Sequence, residues 1–297
     1  MRTYPFVTVD VFTQRRFGGN QLAVFPDAHG MSDAEMQSLA AEFNLSETTF
    51  VLPPEDPANS ARVRIFTRTR EMPFAGHPNV GTAYVLAQQG RDSNGKLRFE
   101  ELAGLVEIDV ERGASGAVLG ATIAAPQPLT LGVEMPVSEI AACAGLKESD
   151  VRISAHRPVT ATLGNPFVIA EVDPAALPRA SPDVASFRAA VEREAALNGR
   201  LGLYLYAHDG PGKVQARMFA PLGGTFEDAA TGSAAGPLGA LLLSLTRDQE
   251  LAVDIHQGMT MGRPSLLRVV ARRGPDDGIR ATVAGHCVPV LRGEAQL

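Results

Sequence analysis

Polar and apolar positions change period along the chain, and the changes mark its elements. Residues 6–12 alternate like a strand, and after the turn Gly18-Gly19-Asn20 the apolar run 22–25 reads as a second. Ser32 with Glu35 three positions on has the form of a capping box and predicts a helix through Phe43. Residues 48–52 are β-branched and apolar, hence a strand, and 53–60 form a surface loop. Residues 62–67 alternate, so one face is buried. Gly76-His77-Pro78 then opens an apolar helix, with the proline tolerated in its first turn. That helix has so little polar surface that burial on most sides is expected. Residues 97–99 and 105–110 are further strands.

The second half starts at 121–131, where Pro126 and Pro128 suit a domain junction or an edge strand. Residues 138–144 read as a short helix and 164–169 as a turn and strand. Ser181-Pro182 predicts a helix start, with Asn198-Gly199 stopping that helix after about Leu197. Strands are expected at 203–206, 214–219, 252–255, 265–271 and 279–283. Between the second and third of these, residues 226–237 hold two adjacent acids, a small-residue turn and a helix start. Thr231 is placed to cap that helix, and Gly232 admits close backbone approach. Pro237 removes the hydrogen bond to the Ser233 carbonyl, so it either bends the helix start or delays it.

The halves repeat each other in order. Gly19-Asn20 matches Gly164-Asn165, the helix 33–43 matches 183–197, and Thr49-Phe50-Val51-Leu52 matches Leu203-Tyr204-Leu205-Tyr206. Arg64-Ile65-Phe66 matches Arg217-Met218-Phe219, and Gly76-His77 matches Gly232-Ser233. The offset runs from 145 (Gly19 to Gly164) to 156 (Gly76 to Gly232), as a duplication with loop insertions would give. The expectation is two α+β domains, 1–120 and 121–297, with the last strand free to return to the first. Two helix N-termini facing each other across a cleft would suit a small anionic metabolite.

Composition narrows the classes. With 297 residues, 45% hydrophobic and 20% charged, the chain reads as an ordinary globular protein. A net charge of −6 and no basic run argue against nucleic acid and anionic membranes as partners. No stretch approaches the ~18 apolar residues of a membrane span, and the opening residues form no signal-peptide core. A cytoplasmic location is expected. The six histidines stand singly, which speaks against a protein metal site. Cys143 and Cys287 have no paired spacing and read as small buried hydrophobes.

Four polar residues carry candidate chemistry. Glu47, among Ser46, Thr48 and Thr49, is either an acid held in one rotamer by hydroxyls or a solvated turn glutamate. His77 is either a working group at a helix entrance or a structural histidine. Asp228 is either an acid/base group or a turn cap. Ser233 is a small first-turn residue. With His77 and Asp228 it has the composition of a hydrolase triad, but no GxSxG surrounds it.

These motifs resemble a known family. Phe17-Gly18-Gly19-Asn20, Asn44-Leu45-Ser46-Glu47-Thr48, Arg64-Ile65-Phe66-Thr67, Pro73-Phe74-Ala75-Gly76-His77-Pro78 and Glu227-Asp228-Ala229-Ala230-Thr231-Gly232-Ser233-Ala234 are similar to those of the PhzF-type phenazine-biosynthesis isomerases. Gln257-Gly258 and Gly262-Arg263-Pro264-Ser265 resemble the family's late motif. The resemblance implies a diaminopimelate-epimerase-like fold, with two pseudo-symmetric domains, each a curved mixed sheet around a central helix. It implies an isomerase like the one that acts on trans-2,3-dihydro-3-hydroxyanthranilate, without cofactor or metal, as a homodimer. Glu47 would move the proton between ring carbons, and His77, Asp228, Ser233, Gly76 and Gly232 would bind substrate. Related epimerases use a cysteine at each helix start. Here those places hold His77 and Ser233, which argues against two-thiol racemisation. Gln21, Arg68 and Ala229 depart from the family pattern beside the expected site. The alternative is a non-catalytic small-molecule-binding or regulatory protein on the same scaffold.

Overall fold

The computed structural model describes residues 1–297. Its elements run β1 (Thr3–Val11), β2 (Asn20–Phe25), α1 (Asp33–Phe43), β3 (Glu47–Leu52), β4 (Ala61–Phe66), β5 (Glu71–Met72), α2 (Gly76–Gln88), β6 (Lys96–Glu101), β7 (Gly104–Arg112) and β8 (Val118–Ala124). There follow β9 (Thr130–Glu134), α3 (Val137–Cys143), β10 (Val151–Arg152), β11 (Val159–Thr162), β12 (Pro166–Val172), α4 (Val184–Arg193), β13 (Leu203–His208), β14 (Lys213–Ala220), β15 (Thr225–Asp228), α5 (Gly232–Ser244), β16 (Glu250–Gln257), β17 (Ser265–Arg273) and β18 (Ile279–Gln296). Backbone contacts divide the chain into two compact units, Met1–Ala124 with Val283–Leu297, and Ala125–Thr282. No helix is long and apolar enough to cross a membrane.

In the first unit β2 and β3 pair in parallel, β3 and β4 antiparallel, and β4 takes β5 antiparallel and β6 parallel. β6, β7 and β8 follow as antiparallel neighbours, and β1 lies between β2 and the end of β18. Helix α2 packs against β1, β2, β3, β7 and β8. All its residues from Gly76 to Ala87 are buried, as its apolar sequence implies. Gly81 makes this approach possible: a Cβ there would lie 2.6 Å from Leu22 Cδ2 and 2.8 Å from Val11 Cγ2. Side chains of β3 alternate between two layers. Phe50 stacks on Phe25 at 5.0 Å in an aromatic layer with Phe66 and Met36 of α1. Thr49 points the other way, its hydroxyl 2.8 Å from that of Thr82 on α2.

The predicted capping box holds α1. Ser32 Oγ accepts from Glu35 N–H at 3.3 Å, and Ser32 N–H donates to Glu35 Oε2 at 2.7 Å. Ser32→Ala is expected to cost about 1 kcal/mol, measured by urea unfolding. A loss within a few tenths would show that the Arg2–Glu35 ion pair holds this end instead.

The second unit repeats the order. β12 and β13 are parallel, β13 and β14 antiparallel, and β14 takes β15 antiparallel and β16 parallel. Helix α5 packs on β16, β17, β11 and β12. Gly239 lets it close on β17, since a Cβ there would lie 2.5 Å from Val269 Cγ1. Ile140, Phe187, Leu203, Leu205 and Phe219 form a further core with α3 and α4. Register corrects the sequence match by one residue. Thr48 pairs with Phe66 as Leu203 pairs with Phe219, so Leu203 corresponds to Thr48 rather than Thr49. Glu47 then corresponds to Gly202, and the candidate acid exists in one repeat only.

Three further expectations change. Helix α4 starts at Val184 with Asp183 as N-cap, its carboxylate accepting from Ser186 N–H at 2.7 Å. Ser181-Pro182 lies outside it because Asp183, the capping residue, is extended at φ −94° and ψ 106°, and the N–H groups of Ser181 and Asp183 bond the Ala144 and Cys143 carbonyls. The α-helix ends at Arg193, with a short 3₁₀ turn carrying the chain to Asn198 in the left-handed region. The last strand runs far beyond residue 283. Its Pro289 pairs with Val9 where the register with β1 shifts, a bulge that tolerates proline. Helix α5 includes Pro237 and already starts at Gly232, so the proline does not delay the start.

Candidate active site

The two-residue period of β3 places Glu47 on the face that carries Thr49, toward α2. His77 comes from the first turn of α2. Glu47 Oε2 lies 3.6 Å from His77 Nε2, with the two side chains 18% and 7% exposed. On the imidazole's other side, Asn20 Nδ2 lies 3.4 Å from Nδ1. Ser46 Oγ donates to Asn20 Oδ1 at 3.5 Å, and Ser46 also hydrogen-bonds the Glu47 carboxyl. Glu47, His77, Asn20 and Ser46 therefore form one polar cluster, in which the single Ser46 hydroxyl proton serves either Asn20 or Glu47 at a time. With Asn20 in this orientation its amide donates to Nδ1, so neutral His77 keeps its proton on Nε2, directed at Glu47.

Burial is the main influence on Glu47 and raises its pKa above the ordinary carboxylate value. The Ser46 hydrogen bond and the Arg68 charge oppose that rise. A carboxyl with a raised pKa holds a proton more readily than an exposed one, which suits a group that must both take and return a proton. The solvated-glutamate reading of this residue is thus set aside. Asn20 and Ser46 were not singled out as site residues from the sequence. Their signal was their place in the turn motifs flanking β2 and β3.

In the second unit Asp228 ends β15, three residues before Thr231, the N-cap position of α5. Thr231 occupies the N-cap position, yet its hydroxyl does not cap the helix. It donates to Asp228 Oδ2 at 2.6 Å. Gln257, fully buried, braces this turn through four bonds. Its Nε2 donates to the Asp228 carbonyl at 2.8 Å and to Thr231 Oγ1 at 3.0 Å. Its Oε1 accepts from Thr231 N–H at 3.2 Å and from Tyr204 OH at 3.0 Å. Ser265 Oγ holds the Ala229 carbonyl at 2.9 Å. Gly258, at φ 75°, leaves no room for a side chain, since a Cβ would lie 2.3 Å from the Arg263 carbonyl. The late motif is scaffolding for the acidic turn. Gly232 is buried and Ser233 half-buried on the first turn of α5. Glu227 separates from Asp228 in role: it pairs with Arg217 through two bonds of 2.8 Å.

Neither α2 nor α5 has a side-chain N-cap, so their first-turn N–H groups are not engaged by a cap. Cys143 and Cys287 are buried free thiols in the cores, and burial pushes Cys143 up to about 12 and Cys287 up as well. Such thiols stay protonated and unreactive.

Comparison with known proteins agrees along the whole chain. The profile of the phenazine biosynthesis-like proteins, PhzC-PhzF, matches residues 9–293. The chain is 35% identical to the trans-2,3-dihydro-3-hydroxyanthranilate isomerase of Pseudomonas chlororaphis, over 98% of each. A solved PhzF-family phenazine biosynthesis protein of Bacillus anthracis superposes with a TM-score of 0.88 at 25% identity, covering 100% of both chains. A hydroxyproline epimerase of Agrobacterium vitis shares the fold, with a TM-score of 0.62 at 14% identity over 99% of this chain and 91% of its own.

Proposed function

From the premise that this chain belongs to the phenazine biosynthesis-like (PhzC-PhzF) family of isomerases, we propose that it moves a proton between carbons of a small carboxylated substrate, with Glu47 as the acid and base. The non-catalytic alternative gives way to an isomerase. The observation that carries the mechanism is the largely buried Glu47 carboxyl, its pKa raised, 3.6 Å from His77 Nε2 in a polar cluster with Asn20 and Ser46.

In this reading ionised Glu47 takes a proton from a substrate carbon and returns it to another, so the reaction leaves no net change in the enzyme. No cofactor is called for. His77 donates through Nε2–H to charge that develops on the substrate while the proton is in transit. Such preorganised donors stabilise the transition state without reorganising. Asn20 holds the imidazole tautomer, and Ser46 sets the Glu47 rotamer. Asp228, braced by Thr231 and Gln257, binds substrate together with Ser233, and Gly76 and Gly232 let the chain approach it closely.

trans-2,3-Dihydro-3-hydroxyanthranilate is the proposed substrate, from the relative that shares 35% identity. The test is turnover of this compound in deuterated water, followed by mass spectrometry. Solvent deuterium is expected at a ring carbon of the product in those turnovers in which protonated Glu47 exchanges with solvent before it returns the proton. Unchanged compound with no label would overturn the substrate. Product formed without label would mean that the proton stays on its carrier until it is returned, and the Glu47→Gln variant then decides whether that carrier is Glu47.

A further inference from the structure

We infer that Asp10 is a positioning residue, whose carboxylate holds the turn 12–19 in the backbone conformation that delivers Asn20 to the His77 imidazole. Its importance for turnover rests on the proposed roles of Glu47 and His77, but its effect on the imidazole does not.

Strand β1 alternates. Val9 and Val11 face α2, since a Cβ on Gly81 would meet their methyl groups at 3.1 and 2.8 Å. Asp10 lies on the other face, in the row of Phe6 and Thr8. It is 2% exposed, and a buried carboxylate requires donors. Phe17 N–H supplies one, donating to Asp10 Oδ2 at 2.6 Å. The bond falls on a strained stretch. Residues 12–19 form neither helix nor strand, and Phe12 and Phe17 sit at φ 65° and 70°, in the left-handed region that bulky side chains rarely adopt. Such conformations persist where the surroundings over-determine them. The Phe17 ring is 70% exposed, so its packing does not hold the backbone there. Thr13 N–H and the Arg16 side chain reach the His286 and Pro289 carbonyls of β18 at 3.1 and 2.9 Å. The Asp10 bond ties the returning leg of the turn to β1.

That leg leads directly to the site. Gly19, at φ 62°, lies so close to β1 that a Cβ would stand 2.3 Å from the Val11 carbonyl oxygen. Asn20 follows, and its pairing with Val11 is the last rung of the β1–β2 ladder. The ladder fixes Asn20 from one side, and the turn fixes it from the other. Asn20 shares the α2 face of β2 with Leu22, which also lies against Gly81. There its Nδ2 is 3.4 Å from His77 Nδ1, and its Oδ1 accepts from Ser46 Oγ at 3.5 Å. Both contacts are long for hydrogen bonds, so a small displacement of Asn20 breaks them. His77 then loses the donor that keeps its proton off Nδ1, and both neutral tautomers become populated.

The test uses the full chain without substrate, as wild type, Asp10→Ala, Asp10→Asn, Asn20→Ala and the double variant Asp10→Ala/Asn20→Ala. Hydrogen exchange of the Phe17 amide reports the bond, and the His77 ring-nitrogen resonances, at a pH where the imidazole is neutral, report the tautomer. In wild type a protected amide and a proton on Nε2 are expected. In Asp10→Ala the Phe17 amide should exchange about 10–10²-fold faster, the factor for losing one hydrogen bond to a charged group. His77 should move in the same variant to the mixed-tautomer positions of Asn20→Ala. Asn keeps an oxygen that accepts from Phe17 N–H, so Asp10→Asn should leave His77 near its wild-type positions. The double variant should match Asn20→Ala at His77, because Asp10 acts through Asn20. His77 resonances unmoved in Asp10→Ala, or moved further in the double variant than in Asn20→Ala, would overturn the inference. Should the alanine variants fail to fold, wild type decides: an unprotected Phe17 amide or mixed His77 tautomers would overturn it, and a protected amide with one tautomer supports it. No readout uses turnover, so the acid–base mechanism is decided separately.

Discussion

Glu47→Gln is expected to lower kcat by about 10²–10⁴-fold, the range that one general acid–base group supplies, while the substrate dissociation constant moves little. Gln keeps the shape and the hydrogen bond to Ser46 but cannot exchange a proton with carbon. The structure separates this loss from misfolding. A buried carboxyl with a raised pKa contributes its full stability only below the unfolded value near 4.5, and loses it as pH rises toward the folded value. Removing the charge therefore leaves the melting temperature at neutral pH at or above that of wild type. The pH profile carries the same sign. The base must be ionised, so wild-type kcat/KM should rise with pH through a value above 4.5. Ser46→Ala removes a bond that lowers this pKa, and should move the acid limb to higher pH. Stopped-flow rates on trans-2,3-dihydro-3-hydroxyanthranilate with parallel calorimetry check all three. A Glu47→Gln variant within tenfold of wild type would remove Glu47 from the chemistry.

Much of this site is written in local patterns. The capping box of α1 and the buried helix α2 follow from residue spacing, and the repeat is visible as ordered pairs such as Arg64-Ile65-Phe66 and Arg217-Met218-Phe219. Period two also placed β3, but which of its faces meets α2 depends on Thr49 finding Thr82, a contact distant in sequence. The cluster around His77 has the same character. Asn20 and Ser46 lie 57 and 31 residues from His77, and no local signal joins them. Thr231 shows the limit of a propensity argument. It stands where an N-cap belongs, but a buried glutamine 26 residues away holds its N–H, and Asp228 takes its hydroxyl. The adjacent acids Glu227 and Asp228 look equivalent in sequence, and strand alternation sends them to different partners.

Arg217→Met is expected to destabilise the protein by about 3–5 kcal/mol, the cost of leaving a buried partner charge uncompensated. Arg217 is 8% exposed, and its guanidinium fork meets Glu227 through Nε and Nη2, both at 2.8 Å. It lies over Phe219 at 4.8 Å. Its Nη1 also serves the carbonyls of Leu177, Pro178 and Ala180. The first unit repeats the device, with Arg64 on Glu71 through two bonds of 2.7 Å and over Phe66 at 5.0 Å. There Nη1 instead meets Asp33, which is 83% exposed. Arg64→Met thus strands one half-buried carboxylate, which water can reach. Arg217→Met takes the cation from a carboxylate that keeps only the Thr260 hydroxyl, and a donor from the Pro178 and Ala180 carbonyls, while Leu177 keeps the Ala180 N–H, so it should cost more of the two. Glu227→Leu added to Arg217→Met should recover part of the loss by removing the stranded charge, but not the share due to the carbonyls. Urea unfolding of the singles and the double variant measures this. Equal costs for Arg64→Met and Arg217→Met would mean that the carboxylate alone accounts for the pair. A double variant no more stable than Arg217→Met would place the cost in the carbonyls and in the lost stack on Phe219.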